Sequence, residues 1–185
     1  MKKKLFISVV AVALVACFAI GGTLAWLTDK TESKVNTFTV GDVNIDLTET
    51  TGTDYKVIPG KDINKDPKVT VEAGSEACWL FVKVEESANW PAYKVDNARK
   101  INYAIADNWT ALDGVPGVYY CTVDADTAKT GVTYSVLAGD KVTVSGTLTK
   151  DEIDKITNFT LTFTAYAVQQ EGIDSAADAW AEATK

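Results

Sequence analysis

The sequence predicts an exported, mainly β protein with the architecture of a sandwich or barrel. Two features of the chain lead to this prediction. Its first residues are lysines followed by a long apolar segment, and the rest consists of short runs in which apolar and polar residues alternate. Short alternating runs separated by turn residues are typical of antiparallel sandwiches and barrels.

The N-terminal segment has the organisation of a signal peptide. Lys2, Lys3 and Lys4 precede an uncharged stretch that runs from residue 5 to residue 27. A basic start, an apolar middle and small residues before the cut are the three parts that export requires. Thr23 and Ala25 form the small pair, which predicts cleavage between Ala25 and Trp26. Residues 1–25 are then the signal peptide, and residues 26–185 are long enough for one domain with a sizeable core.

Two other interpretations of the same segment stay open. The uncharged stretch is long enough to span a bilayer as an uncleaved anchor, although Gly21 and Gly22 interrupt it. The run from Leu14 to Cys17 also has the residue pattern of a lipoprotein signal, which would leave a lipidated Cys17 at the mature end. Against that, apolar residues follow Cys17, where a polar tether is usual.

The charge of the chain excludes one class of partner. Of 18 basic side chains, 15 remain once the three N-terminal lysines are removed, against 25 acidic ones. A strongly acidic protein repels nucleic acid and anionic membrane surfaces. We therefore expect no nucleic-acid partner, and contact with the membrane only through the signal segment.

Alternation identifies the strands. Apolar residues recur at every second position around Val43 to Leu47, at Val69 and Val71, from Cys78 to Val84, and from Phe159 to Ala167. This period of two indicates strands with one buried face. Two helices are expected. Thr149 and Glu152 form the pattern of a capping box for a short helix ending near Ile156, and Ser175 precedes an alanine-rich C-terminal helix.

The absence of histidine limits the possible chemistry. With no histidine in the chain, neither a Ser-His-Asp arrangement nor the usual zinc site of a metalloprotease can be built. Carboxylates such as Asp46 and Glu49, or Asp124 and Asp126, are scattered through turns and polar strand faces, where solvation of the surface is their simplest role. No calcium-loop motif is present. We expect no catalytic residue, no metal and no cofactor.

The cysteines and aromatic residues each allow two interpretations. Cys78 and Cys121 remain after cleavage and could form a disulfide in an oxidising compartment, or lie as two buried apolar side chains on strands that never meet. The side chains that could line a carbohydrate groove also fit the core of a sandwich or its edge, which is the prediction we prefer. They are Trp79, Trp90, Trp109, Tyr119 and Tyr120.

Two stretches of the chain resemble a known family. Residues 22–29, Gly-Thr-Leu-Ala-Trp-Leu-Thr-Asp, and residues 36–47, from Asn36 to Leu47, are similar to the export region of the TasA and camelysin family. Residues 165–172, together with Ala179 and Trp180, resemble the C-terminal ends of clostridial-type relatives. The middle of the chain resembles the family only loosely.

The resemblance implies an antiparallel jelly-roll-like sandwich, processed by a SipW-type signal peptidase and secreted by a Gram-positive-type bacterium. Proteins of this kind assemble into biofilm-matrix or surface fibres, so self-association or sister matrix proteins are the implied partners. Camelysin is classed as a metalloprotease, but a chain without histidine offers no catalytic residue to transfer. A monomeric secreted or membrane-held adhesin is the alternative function.

The segment from residue 26 to residue 40 is the predicted assembly element. Val35, Phe38 and Val40 lie among threonine and asparagine residues in a strand-like pattern that is too short to be stable alone. Such a strand gains most by pairing with an open sheet edge. That edge can belong to the same molecule, which gives a closed monomer, or to the next molecule, which gives a fibre.

Overall fold

The computed structural model describes residues 42–52 and 54–185. All of them fall within one compact unit, which spans residues 40–185. The predicted cleavage site at Ala25 and Trp26, the alternative lipid site Cys17 and the assembly residues Val35, Phe38 and Val40 lie outside the described residues.

Twelve strands and three α-helices make up the described part of the chain. The strands are β1 (Ile45–Thr48), β2 (Ile63–Asn64), β3 (Lys68–Val71), β4 (Cys78–Glu86), β5 (Lys94–Val95), β6 (Ala98–Arg99), β7 (Ile101–Asn102), β8 (Thr110–Ala111), β9 (Val118–Val123), β10 (Val132–Ser135), β11 (Lys141–Val144) and β12 (Leu161–Gln169). The helices are α1 (Ala125–Thr130), α2 (Lys150–Ile153) and α3 (Ala176–Ala183).

The strands form three sheets of three or four strands and one small hairpin. The largest sheet has the order β12-β4-β9-β8, and the two smaller sheets have the orders β1-β3-β10 and β2-β11-β7. The hairpin consists of β5 and β6. Every one of these strand pairs is antiparallel. The mainly β, antiparallel class predicted from the sequence is therefore confirmed.

The main core joins the largest sheet to the two smaller ones. Leu80 and Val82 of β4 are fully buried and belong to the same apolar cluster as Val69 of β3 and Val142 of β11. The alternation in the sequence assigned Val69, Leu80 and Val82 to a buried face, whereas β11 with Val142 was not predicted. Burial of apolar surface on this scale is the dominant stabilising contribution in a domain of this size.

A second, smaller core covers the other face of β4. Phe81, which alternates away from the main core, is also fully buried. It packs with Ala179 and Trp180 of α3, and the centroids of the Phe81 and Trp180 rings are 5.4 Å apart. The C-terminal helix thus shields the outer face of the sheet. In the part of the chain that the structure describes, no helix is long and apolar enough to cross a membrane.

The helix starts follow local capping chemistry. Thr149 and Glu152 form the predicted capping box of α2, which ends at Ile153 rather than near Ile156, and Ser175 caps α3 as predicted. Helix α1 was not predicted. Its start is Asp124, whose carboxylate accepts hydrogen bonds from the backbone N–H and the hydroxyl of Thr127. Asp124 therefore has a structural role beyond surface solvation, because it satisfies a free N–H of the first helical turn.

Candidate functional site: a groove beside an unpaired strand edge

The most prominent concave feature is an apolar groove between β1 and β12. Its volume is about 1030 Å³, at the upper end of the range usual for ligand sites. One wall is formed by the end of β1, one by the start of β12, and the floor by β2 and β11. The apolar residues that line it are Leu47, Val57, Ile58, Ile63, Pro67, Trp90, Val142, Ile153, Ile156, Phe159, Leu161 and Phe163.

Strand β12 contributes to this groove. One of its two edges pairs with no described strand. Its whole length, from Leu161 to Gln169, pairs with β4 on one side. Strand β1 also lies close to β12, but it belongs to a different sheet and pairs with β3. An unpaired edge of nine residues presents a row of backbone N–H and C=O groups that a further strand can use. Other edge strands of the described sheets, such as β8 with two residues, are much shorter.

A buried ion pair is the main polar feature of the groove. The ammonium of Lys65 lies 2.6 Å from Oε1 of Glu49, and Lys65 is only 8% exposed. The same ammonium lies 5.0 Å from the centre of the Tyr55 ring and 5.5 Å from that of Phe163. Pairing with the carboxylate and with two aromatic faces offsets the cost of removing the charge from water. The groove is therefore apolar and internally neutral.

Aromatic side chains close one end of the groove. The Trp90 ring packs edge-on against Phe159 at 4.9 Å and against Tyr103 at 5.7 Å. The guanidinium of Arg99, the single arginine of the chain, lies over Trp90 and donates two hydrogen bonds of 2.8 and 2.7 Å to Glu86. These bonds from Arg99 hold the pKa of Glu86 below its usual value. The network fixes this end of the groove as a rigid wall.

A second carboxylate anchors the chain where it leaves β1 beside the groove. Asp66 is buried and accepts four hydrogen bonds from two residues: the N–H and hydroxyl of Thr50, at 2.9 and 2.6 Å, and those of Thr51, at 3.0 and 2.9 Å. The bonds from Thr50 and Thr51 hold the pKa of Asp66 well below its usual value. The ionised carboxylate thus fixes the position of the chain just after Glu49.

This anchor predicts a pH dependence of stability. The folded-state pKa of Asp66 is lowered, so its stabilisation is complete above the unfolded pKa of about 4 and is lost as the pH falls below that value. We expect Asp66→Asn to be less stable than the parent protein at pH 7, and to lose less stability between about pH 5 and pH 2. Urea unfolding across this pH range measures both effects.

The exposed Asp113, which makes no hydrogen bond to the described residues, supplies the control for Asp66. Asp113→Asn should leave the pH dependence as it is in the parent. An unchanged acid sensitivity in Asp66→Asn would show that the anchor does not contribute. Part of the acid sensitivity remains in any case, because hydrogen bonds also lower the pKa values of Asp124 and Glu152.

The five aromatic residues that could have lined a carbohydrate groove pack in the two cores instead. Trp90 and Trp109 are buried, and the indole N–H of Trp109 donates a 2.9 Å hydrogen bond to the carbonyl of Ser135. Tyr119 packs against the main core, whereas Trp79 and Tyr120 pack around the second one. The preferred prediction, core packing, is thus confirmed, and no exposed row of aromatic rings forms among these five residues.

Cys78 and Cys121 lie on neighbouring strands as free thiols. Of the two interpretations left open, the one with strands that never meet does not hold, because β4 pairs with β9. The register sets Cys121 opposite Leu80, and Cys78 opposite Val123, so the cysteines are diagonal neighbours about 7–8 Å apart. A disulfide at this spacing needs movement of the backbone. Burial raises the pKa of Cys78 to about 11 and that of Cys121 to about 12.

The donor groups of the described residues do not fit a catalytic metal. The usual catalytic zinc sites include at least one histidine ligand, and the chain has no histidine. Within residues 42–52 and 54–185, no three Cys, Asp or Glu side chains converge on a common point. The two thiols are held protonated by burial, and the carboxylates of Asp66 and Glu152 are already used by hydrogen bonds.

Lys65 and Tyr55 were not recognised from the sequence as groove residues. Glu49 was interpreted as a surface carboxylate, whereas it pairs with Lys65. Lys65 is in a polar stretch between two prolines, which gave no sign of burial. Tyr55 begins a short alternation, Tyr55-Lys56-Val57-Ile58, that could have been recognised as strand-like. The groove depends on residues from six separate parts of the chain, which no local pattern reveals.

Comparison with known proteins gives a family for the chain. The model of the family described as camelysin metallo-endopeptidase matches residues 1–100, which is more than half of the 185 residues. No curated protein and no solved structure matches. The match covers the N-terminal region that resembled the TasA and camelysin family, together with β1 to β6 and the groove residues from Leu47 to Trp90. The chain belongs to the camelysin metallo-endopeptidase family.

Proposed function

We propose that this protein is a secreted structural component of a bacterial cell surface or extracellular matrix, which polymerises by donating an N-terminal strand to the next copy. The observation that supports it best is the unpaired edge of β12 beside an apolar groove. Binding of a further strand there would satisfy the backbone groups of the edge and bury the apolar lining of the groove at the same time.

The donor we propose is residues 26–40. Extended, these 15 residues would reach about 50 Å, enough to cross to a neighbouring molecule. In a regular strand Phe38 and Val40 would share one face and suit an apolar groove, whereas Val35 would take the opposite face. The groove is internally neutral, since Lys65 is already paired with Glu49, so it favours apolar side chains over charged ones.

Export supplies the free terminus that this mechanism requires. We propose cleavage between Ala25 and Trp26 by a SipW-type signal peptidase, which N-terminal mass spectrometry of the secreted protein can establish. Trp26 would then begin the donor segment. An intact Met1 in the membrane fraction, or a lipidated Cys17, would contradict this step. Sister matrix proteins with the same kind of groove are candidate partners besides the chain itself.

A protease is the second candidate, because the matching family is described as a metallo-endopeptidase. The donor groups of the described residues do not favour it, for the reasons given above. We therefore expect no metal-dependent cleavage of casein by the purified protein. Robust cleavage that a chelator abolishes would contradict this expectation. An adhesin that binds through exposed tryptophans has less support, since Trp90 and Trp109 are buried.

Deleting residues 26–40 tests the proposal. We expect the shortened protein to stay folded, as judged by circular dichroism, but to form no polymers in electron micrographs. The double variant Phe38→Asp, Val40→Asp should have the same effect without shortening the chain. Its matched control, Thr37→Asp with Thr39→Asp, adds the same charge on the other face and should still polymerise. Mature protein that stays monomeric at high concentration would contradict the proposal.

A further inference from the structure

A short extended segment already lies along the groove. Residues 54–58 all line it, and they have no regular secondary structure. Their exposure alternates as in a strand: Tyr55 and Val57 are half-buried, whereas Asp54, Lys56 and Ile58 are exposed. Val57 packs against the main core, and Tyr55 lies next to the ammonium of Lys65. We call residues 54–58 the strap.

The strap contacts the groove through side chains and not through a strand ladder. Among the described residues, no backbone hydrogen bond joins residues 54–57 to another part of the chain. Tyr55 is held by its hydroxyl, which lies 3.0 Å from the hydroxyl of Thr51 and donates to the carbonyl of Gly52. Moving the strap would therefore break few hydrogen bonds, whereas a strand paired with β12 would form a series of them.

Both ends of the strap are fixed to the domain. On the N-terminal side, Asp66 anchors Thr50 and Thr51. On the C-terminal side, the N–H of Gly60 donates a 3.1 Å hydrogen bond to the carbonyl of Val144. Gly52 and Gly60 both have positive φ values, of 85° and 73°, a conformation that glycine adopts at little cost. The middle of the segment is thus free to leave the groove while its ends stay attached.

Ile58 shows that the strap leaves apolar surface exposed at the groove. It is 52% exposed and is the one large apolar side chain with such exposure in the described part of the chain. An apolar residue at the mouth of an apolar groove is the kind of surface that a partner covers. The strap thus forms part of the groove lining, with two inward side chains, and leaves an apolar rim.

We infer that the strap is a displaceable side of the groove, which slows assembly of the monomer and which the incoming strand of a second copy must push aside. This inference rests on the proposed function and adds a control step to it. Tyr55 and Val57 hold the place that the apolar side chains of the donor strand take in the polymer. Assembly is slow while they are bound and faster when their contacts are weakened.

The test compares inward and outward positions of the strap in the mature chain that starts at residue 26. Tyr55→Ala with Val57→Ala should shorten the lag of polymerisation, followed by light scattering, at least several-fold. The matched control, Lys56→Ala with Ile58→Ala, changes only outward side chains and should keep the lag within about twofold of the parent, since exposed substitutions have small effects. Circular dichroism checks that each variant is folded.

Limited trypsin digestion of the unmodified protein gives an independent readout, which does not depend on any variant folding. The bond after Lys56 should be cut faster in the polymer than in the monomer, because the strap has left the groove. Slower or equal cleavage there, or equal lag times for the inward and outward variants, would overturn the inference while leaving strand donation intact. If no polymers form from any of these proteins, the proposed function itself is wrong.

Discussion

Replacing Gly117 by alanine should destabilise the domain more than any other single methyl addition in the described sheets. Gly117 lies at the start of β9 with a φ of 77°, and its carbonyl accepts a 2.8 Å hydrogen bond from the N–H of Val84. A Cβ atom there would lie 2.6 Å from the carbonyl oxygen of Val84. The left-handed conformation costs alanine about 1 kcal/mol, and the clash with a backbone atom adds about 1–3 kcal/mol.

Gly114 supplies a matched control for this prediction. It has nearly the same φ, 76°, but a Cβ atom would find nothing within 4 Å. Gly114→Ala should therefore cost only about 1 kcal/mol, the conformational part. Urea unfolding of the two variants separates the clash from the backbone strain. If both variants lost the same stability, the close approach of β9 to Val84 would not contribute.

Replacing Trp90 by alanine should have the largest effect of any substitution at the groove. Trp90 is 9% exposed and contacts Phe159, Tyr103 and Arg99. Removal of a buried tryptophan leaves a large cavity and costs about 3–5 kcal/mol. The loss should appear as a lower midpoint of urea unfolding, and assembly should fail because one wall of the groove is lost.

The indole nitrogen of Trp90 allows a sharper comparison. It is buried and has no hydrogen-bond partner, so Trp90→Phe removes an unsatisfied N–H along with some packing. Trp109→Phe removes a similar volume, but also the bond to the Ser135 carbonyl, which is worth about 1 kcal/mol. We expect Trp109→Phe to be the more destabilising of the two. The reverse order in urea unfolding would show that Trp90 has a polar role in the folded protein.

Local patterns account for much of the fold. The alternation in β1, β3, β4 and β12 is directly visible in the sequence, because each of these strands has one face on the main core. Thr149 and Ser175 identified two helix starts, because capping depends only on residues within one turn. Helix α1 was missed because its six residues carry no apolar periodicity, and Asp124 resembles a turn residue as much as a helix cap.

The groove could not be predicted in the same way. Its walls come from β1, β2, β11 and β12 and from the residues after α2, and they meet only through the pairing of distant strands. Nothing in the sequence around Lys65 indicates that its ammonium is buried against Glu49. The assembly segment, in contrast, was predicted from the strand-like pattern of Val35, Phe38 and Val40 and from the family resemblance. The structure adds a groove beside an edge of β12 that no described strand pairs.

The origin of the strand that occupies each groove is the most direct test of strand donation. Unlabelled and ¹⁵N-labelled monomers of the mature protein can be mixed in equal amounts, polymerised and treated with a lysine cross-linker. Lys34 lies in the donor segment and Lys56 on the exposed side of the groove. Donation between copies predicts Lys34–Lys56 linkages that join light and heavy chains as often as chains of the same isotope. Linkages within chains of one isotope alone would contradict it, because each strand would then fill the groove of its own molecule.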